Sequence, residues 1–282
     1  MSKIIITGER QDDVFPKSKL VTLESLTNMP SRKGLEKAVV SNGKVVNVVS
    51  NSYAHLPNEV FLSEIERKLF DADIKYETRS VNRNDSSFGV SYILNDDRYV
   101  IKVRSGDDTL KPMIHVINSY DGSCKTTAHF GMFRDICTNG LHIGNKQLGF
   151  AVKHRGDMAD IVIPAIAPLV DSFISNEYYN LSKKFEVLAE TPIKNIEEFV
   201  RMTSSDMKLF TYESSEKNPL PSLNARRVIE TIKSETAILG EPANLWVGYN
   251  AFNEILHNKL KKTFTQQAGI DSRLFDSVLA QA

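Results

Sequence analysis

Short apolar runs alternate with polar residues between positions 36 and 150, and turn-forming residues separate the runs. Asn42-Gly43 divides two valine-rich runs, and an Asn-Gly pair is the strongest short-range signal for a β-hairpin. Asn95-Asp96-Asp97 and Asp121-Gly122 divide later alternating runs in the same way. The pattern therefore predicts three consecutive antiparallel hairpins.

Helical spacing interrupts this pattern once and dominates after it. Phe61, Ile65 and Leu69 recur every four residues, which predicts a helix that Asn58 caps and that packs on the sheet. Apolar residues in residues 151–282 recur at helical intervals. The predicted fold class is α+β, with consecutive antiparallel β-hairpins and a packed helix, followed by a mainly helical C-terminal region.

The same patterns predict three zones along the chain. Residues 1–35 mix charges, prolines and short apolar pieces without sustained periodicity, and we interpret them as an N-terminal arm. Residues 36–150 form the predicted antiparallel α+β domain. Residues 151–282 form the predicted helical region.

Composition limits the choice of partners. The 282 residues carry 35 basic and 35 acidic side chains, so nucleic-acid binding would need a local basic patch. Membrane binding is not expected, because the chain has no apolar run long enough for a signal peptide or a spanning helix. We expect a cytoplasmic protein with its two cysteines reduced.

The densest polar segment is IHVINSYDGSCKTTAHFGMFRDICTNGLHIG, residues 114–144. Asp121-Gly122 suits a type I′ turn, in which both central residues have positive φ, and Asn118 and Ser119 are placed to bond nearby backbone groups. A short helix is predicted from Phe133 to Cys137. Asn139-Gly140 would end that helix as a left-handed cap.

This segment also contains side chains that bind metals or act as nucleophiles: His115, Cys124, His129, Cys137 and His142. Structural zinc sites draw ligands from close pairs such as C-x2-C, and no such pair is present. We predict no metal, no cofactor and no catalytic residue. An enzyme acting through Asp121, Asn118 and the cysteines stays an alternative, although no base, nucleophile and orienting group can be placed together.

Several segments together resemble domain-of-unknown-function family 932, a family of phage/plasmid-like proteins. The similar segments are KVVNVVSNSYAHLPNEVFLSEIERKL, HVINSYDGSCKTTAHFGMFRDICTNGL and NLWVGYNAFNEIL. Within them, Arg134, Cys137, Asn139 and Gly140 fall in the family's R-x-x-C-x-N-x-L segment. Tyr120 replaces the usual histidine of the N-S-H-D-G-S turn, and Asn253 replaces a threonine in the late helix. The resemblance implies a bacteriophage or plasmid context, and so the cytoplasm of a bacterial host cell, and no defined reaction.

The order of elements is also similar to the core of phage single-strand annealing recombinases, an analogy of fold only. In the strand predicted for RYVIKVR, Arg98, Lys102 and Arg104 share one face. Such a basic stripe could track a phosphate backbone, with Tyr92 or Tyr120 stacking on bases.

Two functional hypotheses follow. The first is a nucleic-acid-binding protein of a phage or plasmid, a homo-oligomeric single-strand annealing or DNA-maintenance factor whose partner is single-stranded DNA or another nucleic acid. The alternative is a mobile-element protein that binds and inhibits a host protein. Basic residues gathered on one face would favour the first, and a large exposed apolar patch without basic neighbours would favour the second.

Overall fold

Strands fill most of the first half of the chain and helices the second, which confirms the predicted α+β class. The computed structural model describes residues 4–6, 17–83, 86–103, 108–134, 140–141, 149–172, 178–209, 222–260 and 264–282. The strands are β1 Ile4–Ile6, β2 Ser18–Thr22, β3 Lys37–Ser41, β4 Lys44–Val49, β5 Tyr76–Arg83, β6 Ser87–Leu94, β7 Ile101–Val103, β8 Asp108–Ser119, β9 Thr126–Arg134, β10 Gly140–Leu141 and β11 Gly149–Val152. The helices are α1 Leu23–Thr27, α2 Asn58–Asp71, α3 Met158–Ser172, α4 Tyr178–Glu190, α5 Ile196–Met207, α6 Leu223–Leu239, α7 Leu245–Asn258 and α8 Phe264–Leu279.

The chain forms two compact units. The first comprises residues 1–99, 112–130 and 146–175, and the second comprises residues 100–111, 131–145 and 176–282. β8 and β9 contribute residues to both units. The three predicted zones, with boundaries at residues 35 and 150, stay a prediction.

The first predicted hairpin is confirmed in β3 and β4. Ser41 pairs with Lys44, so the connection has two residues. Asn42 and Gly43 have φ values of 48° and 78°, as a type I′ turn requires. β2 adds to β3 as a third antiparallel strand, so part of the predicted N-terminal arm belongs to this small sheet of β2, β3 and β4.

The second predicted hairpin has different partners. β6 pairs with β5 and β8, whereas the segment after Asn95 forms a 3-10 turn, Asp97–Tyr99, and then β7, which pairs with β8. β5 was not predicted, because its sequence YETRSVNR is polar. Nearly every residue of β6 is buried, so apolar and polar positions do not alternate in exposure there.

The third predicted hairpin joins β8 to its neighbour β9, but its turn is wider than predicted. Residues 120–125 connect the strands. Gly122 has a φ of 74°, while Asp121 is absent from the residues with positive φ in the described chain. The connection is therefore a six-residue loop, and a two-residue type I′ turn was the wrong expectation.

Helices α2 and α3 pack together in the first unit. The predicted apolar face of α2 is confirmed, since Phe61, Ile65 and Leu69 are buried. Pro57 occupies the N-cap position and Asn58 is the first helical residue, so the predicted capping position is wrong. The side-chain Oδ1 of Asn58 instead accepts a hydrogen bond from Nδ2 of Asn118 in β8.

The second unit is built around α7, most of whose residues are buried. Helices α4, α6 and α8 all contact it. Gly248 allows close approach of α5, because a Cβ there would lie 2.5 Å from Cε1 of Phe199. Trp246 anchors this core, since it is 2% exposed. Helix α8 was not identified from the sequence.

Candidate nucleic-acid interface

Asn118 holds together three segments of the first unit. Its Nδ2 donates to the carbonyl of Leu56 and to Oδ1 of Asn58, both at 3.0 Å. Its Oδ1 accepts a hydrogen bond from Oγ1 of Thr126 at 2.8 Å. All of these groups are buried, so the amide satisfies polar atoms that water does not reach. The Asn of the N-S-Y-D-G-S motif therefore fixes the fold around the loop.

The two tyrosines predicted to stack on bases are core residues, and that prediction is corrected. Tyr92 is fully buried, and its hydroxyl donates to Oε1 of Glu66 at 3.1 Å. Tyr120 is 1% exposed, and its hydroxyl accepts a hydrogen bond from the backbone N–H of Asn58 at 3.0 Å. Neither ring offers a free face to a base.

The remaining turn residues form local hydrogen bonds, as the sequence predicted for Ser119. Oγ of Ser119 donates to the carbonyl of Cys124 at 2.9 Å and accepts from its N–H at 3.1 Å. Asp121 accepts from Ser86 Oγ at 2.7 Å and from Ser123 N–H at 2.8 Å. Burial opposes ionisation of Asp121, but these hydrogen bonds outweigh it and lower its pKa.

Beside this loop lie three residues that the sequence analysis did not select. The rings of Tyr53 and His154 stack with centroids 5.3 Å apart, and Nε2 of His55 lies 2.9 Å from Oγ of Ser18. Burial lowers the pKa of His55 to about 4 and also lowers that of His154. Both imidazoles are therefore neutral at pH 7.

These pKa shifts do not assemble an activated nucleophile. Burial raises the pKa of the Cys124 thiol, which disfavours the thiolate. Burial, followed by the charges of Asp121 and Cys124, raises the pKa of Tyr53 to about 12. The cluster has aromatic and hydrogen-bonding groups whose protonation is fixed near neutral pH, and this is typical of a structural or binding surface.

The segments that build the cluster of Tyr53, His55, Asn118 and His154 are rich in basic residues. These segments, residues 37–55, 118–127 and 149–157, contain five basic and two acidic residues in a chain of zero net charge. We call the basic residues that lie beside Thr126, His154 and Tyr53 the cationic cluster: Lys125, Lys153 and Arg155.

Strand pairing brings part of the cationic cluster together. Thr126 pairs with Val152, so Lys125, just before β9, and Lys153, just after β11, lie at the same end of this strand pair. Arg155 forms a β-bridge with Tyr53. Lys125, Lys153 and Arg155 are exposed.

The cationic cluster keeps its charge available to a partner. Within the described residues, Lys125, Lys153 and Arg155 form no ion pair. The nearby carboxylates are engaged elsewhere. Asp121 bonds within its loop, and Oδ1 of Asp157 accepts from the N–H groups of Ala159 and Asp160 at the start of α3.

The basic stripe predicted on RYVIKVR is not formed as expected. Arg98 lies in the 3-10 turn, so strand alternation does not place it. Its guanidinium binds Asp96, with Nη2–Oδ2 at 2.5 Å, and donates to the carbonyl of Asp73 at 2.7 Å. Lys102 is exposed between buried Ile101 and Val103, as predicted. Arg104 lies outside the described residues.

Two family motifs meet in the second unit, at Arg134. The Arg134 side chain is fully buried and binds both oxygens of Asp108 and Oε1 of Glu235, the latter at 2.5 Å. Nε1 of Trp246 donates to Oδ2 of Asp108 at 2.7 Å, and the guanidinium lies 5.2 Å from the Trp246 ring centroid. These groups face one another and no solvent, so this cluster stabilises the unit and does not form a binding site.

The helix predicted from Phe133 to Cys137 is corrected at its start, because Phe133 and Arg134 are the last residues of β9. Cys137 and Asn139 lie outside the described residues. Gly140 belongs to β10, where it pairs with Phe133, and does not cap a helix.

Histidines of the polar segment also come together. The rings of His115 and His129 lie 5.6 Å apart, and Nδ1 of His115 lies 2.7 Å from Oγ of Ser91. Among the residues that the structure describes, no three His, Cys, Asp or Glu side chains are grouped to hold a metal ion. Cys137 and His142 fall outside that part of the chain.

Sequence signals for the missed residues were weak. Tyr53 and His55 lie in SYAHLPNE, a polar stretch without periodicity. His154 lies about 100 positions later in the chain. The bond between its Nδ1 and the carbonyl of Ala54, at 3.3 Å, is visible only in three dimensions. The charge surplus of the three segments could have been counted, had their proximity been known.

Comparison with known proteins places this geometry in a family. Residues 45–277 match the model of a family described as a domain of unknown function, DUF932. A search of solved structures found no match. No helix in the described ranges has the length and apolar character needed to cross a membrane.

Proposed function

The chain belongs to the DUF932 family, and we propose that it binds nucleic acid, preferentially single-stranded DNA, through the cationic cluster of its first unit. One observation carries the proposal. Lys125, Lys153 and Arg155 lie beside the cluster of Tyr53, His55, Asn118 and His154, while the two acidic residues there bond to hydroxyl and backbone N–H groups. Basic side chains without counter-ions are what a phosphate backbone requires.

The preference for single strands is inferred from the aromatic residue at this surface. Tyr53 is half-buried: its ring stacks on His154 and packs against the core of the small sheet, and the part that remains exposed, on the β-bridge partner of Arg155, is what a base could contact. Unpaired bases stack on exposed aromatic rings next to cations, whereas a duplex keeps its bases inside. The annealing or DNA-maintenance role and the homo-oligomeric state stay predictions.

The test replaces Lys125, Lys153 and Arg155 together by alanine. Binding of a fluorescent oligothymidylate is measured across a salt series. Each lost phosphate contact removes about 0.7 from the slope of log K against log salt, so we expect the slope to fall by about 2 and low-salt affinity to drop strongly. Folding should change little, because these side chains are exposed.

A charge-matched control separates site binding from general attraction. Lys184, Lys194 and Lys233 are exposed in the second unit and form no ion pair within the described chain. Their triple alanine variant should retain the wild-type slope. Equal slopes for both variants, or tighter wild-type binding to duplex than to single strands, would contradict the proposal.

Tyr53→Leu should weaken binding without changing the slope, because it removes stacking but no charge.

A further inference from the structure

The small sheet has two unlike faces. Val39 and Val49 on its inner face pack with Tyr120 and half-buried Tyr53. Cross-strand pairs Val40–Val45 and Ala38–Val48 lie on the opposite face, because side chains alternate along a strand and paired residues point the same way. A bulge between Val39 and Val40 brings both β4 valines to that side. We call this second side the outer face: Val21, Ala38, Val40, Val45 and Val48.

The outer face is apolar, and its two β4 valines are open to solvent, whereas Ala38 is buried. Val45 is 54% exposed and Val48 37% exposed. The connection between β2 and β3 adds further exposed apolar side chains, namely Leu26, Met29 and Leu35. Contiguous exposed apolar groups on a sheet are typical of an interaction surface.

Basic residues accompany this surface. Residues 17–36 contain four basic side chains, Lys17, Lys19, Arg32 and Lys33, all exposed and none in an ion pair within the described residues. Lys19 pairs with Val40, so it lies on the outer face itself.

The two acidic residues of this stretch are already engaged. Oε1 of Glu24 accepts hydrogen bonds from N–H and Oγ of Ser31. Glu36 accepts from the N–H groups of Gly34 and Asn51. The surface therefore combines apolar area with positive charge that no ion pair among the described residues compensates.

We infer that the outer face binds an acidic segment of another protein that carries apolar side chains among its carboxylates. Charge complementarity favours this partner over a second copy of the chain, whose outer face would bring the same positive charges together. Nucleic acid is disfavoured, because residues 17–49 contain no aromatic side chain on which a base could stack. The inference does not depend on the cationic cluster.

The surface also lies mainly outside the family match. β2, α1 and β3 precede residue 45, where the match begins. A partner bound there would be a property of this chain and of relatives that share its N-terminal strands.

The test uses a fluorescent synthetic peptide of alternating aspartate and leucine and the full-length protein. We expect low-salt binding that weakens with added salt. Lys19→Glu and Val45→Ser should each reduce affinity about fivefold or more, because one removes charge complementarity and the other apolar contact. Lys233→Glu and Val187→Ser are matched controls, since Val187 is 42% exposed on α4, and both should bind like wild type.

Other outcomes would overturn the inference. One is that a lysine–leucine peptide binds as tightly as the aspartate–leucine peptide, and another is that the aspartate–leucine peptide does not bind. A third is that oligothymidylate displaces the aspartate–leucine peptide and that Lys19 is needed for this displacement. Concentration-dependent dimerisation that Val45→Ser abolishes would assign the face to a second copy. The Lys125, Lys153 and Arg155 triple variant should bind the peptide normally, so failure of the nucleic-acid proposal can be distinguished from failure here. Thermal melts of each variant verify folding.

Discussion

Single buried polar side chains carry much of the specificity of this fold. Asn118 uses both ends of its amide at once, donating to Leu56 and Asn58 and accepting from Thr126. An aspartate or leucine of similar size would lack the donors or all polar atoms. The sequence marks Asn118 as part of a motif. Its partner Asn58 lies 60 positions away along the chain, so the sequence alone could not identify the contact.

Asn118→Ala tests this role at the scale of one residue. The substitution leaves buried polar atoms of Asn58 and Thr126 without this partner and opens a small cavity. We expect the free energy of unfolding to fall by about 2–4 kcal/mol in urea titrations. Thr127 follows Thr126 on β9 and is half-exposed. Thr127→Ala should change the free energy of unfolding by no more than about 0.5 kcal/mol. Similar losses for both variants would contradict the structural role of the amide.

Elements with strong local signals were predictable, and elements defined by distant partners were not. Asn42-Gly43 set the first hairpin, and Phe61, Ile65 and Leu69 set the buried face of α2. β5 was not predictable, because its sequence is polar and its strand conformation depends on pairing with β1 on one side and β6 on the other. For the candidate site, the motif residues could be selected, but the cationic cluster arises from segments that only the sheet brings together.

The two glycines Gly43 and Gly269 test the element scale with opposite signs. Gly43 has a φ of 78° and nothing within 4 Å of an added Cβ, so Gly43→Ala is unfavourable through backbone conformation alone. We expect about 1 kcal/mol of destabilisation. Gly269 is exposed within α8 with equal space and no positive φ, so Gly269→Ala should stabilise by up to about 1 kcal/mol. Chemical denaturation of both variants measures the contrast, and equal signs would contradict it.

At the scale of the whole molecule, the two units contain buried ionisable groups whose pKa shifts have opposite consequences. Burial lowers the pKa of His55 and His129 to about 4 in the first unit, and it lowers that of His154. In the second unit, burial raises the pKa of Glu235 despite the opposing charge of Arg134.

The sign of each effect follows from which state binds more protons. Unfolded histidines titrate near pH 6.5, so the unfolded chain takes up protons first as pH falls, and the stability contributed by the neutral buried imidazoles is lost between about pH 7 and 4. Glu235 behaves in the opposite way. Its raised pKa contributes stability at low pH that is lost as pH rises through the folded pKa.

Acidification from pH 7 to 5 should therefore destabilise the first unit more than the second. Trp246, the single tryptophan of the chain, reports unfolding of the second unit by fluorescence in urea. Hydrogen exchange of residues 112–130, corrected for intrinsic rates, reports opening of the first. We expect faster exchange in that segment at pH 5 with little downward shift of the Trp246 midpoint.

His129→Phe should reduce the pH dependence of exchange, because it removes one titrating group from β9. An unchanged pH dependence in that variant, together with a falling Trp246 midpoint, would contradict the assignment of acid sensitivity to the buried histidines of the first unit.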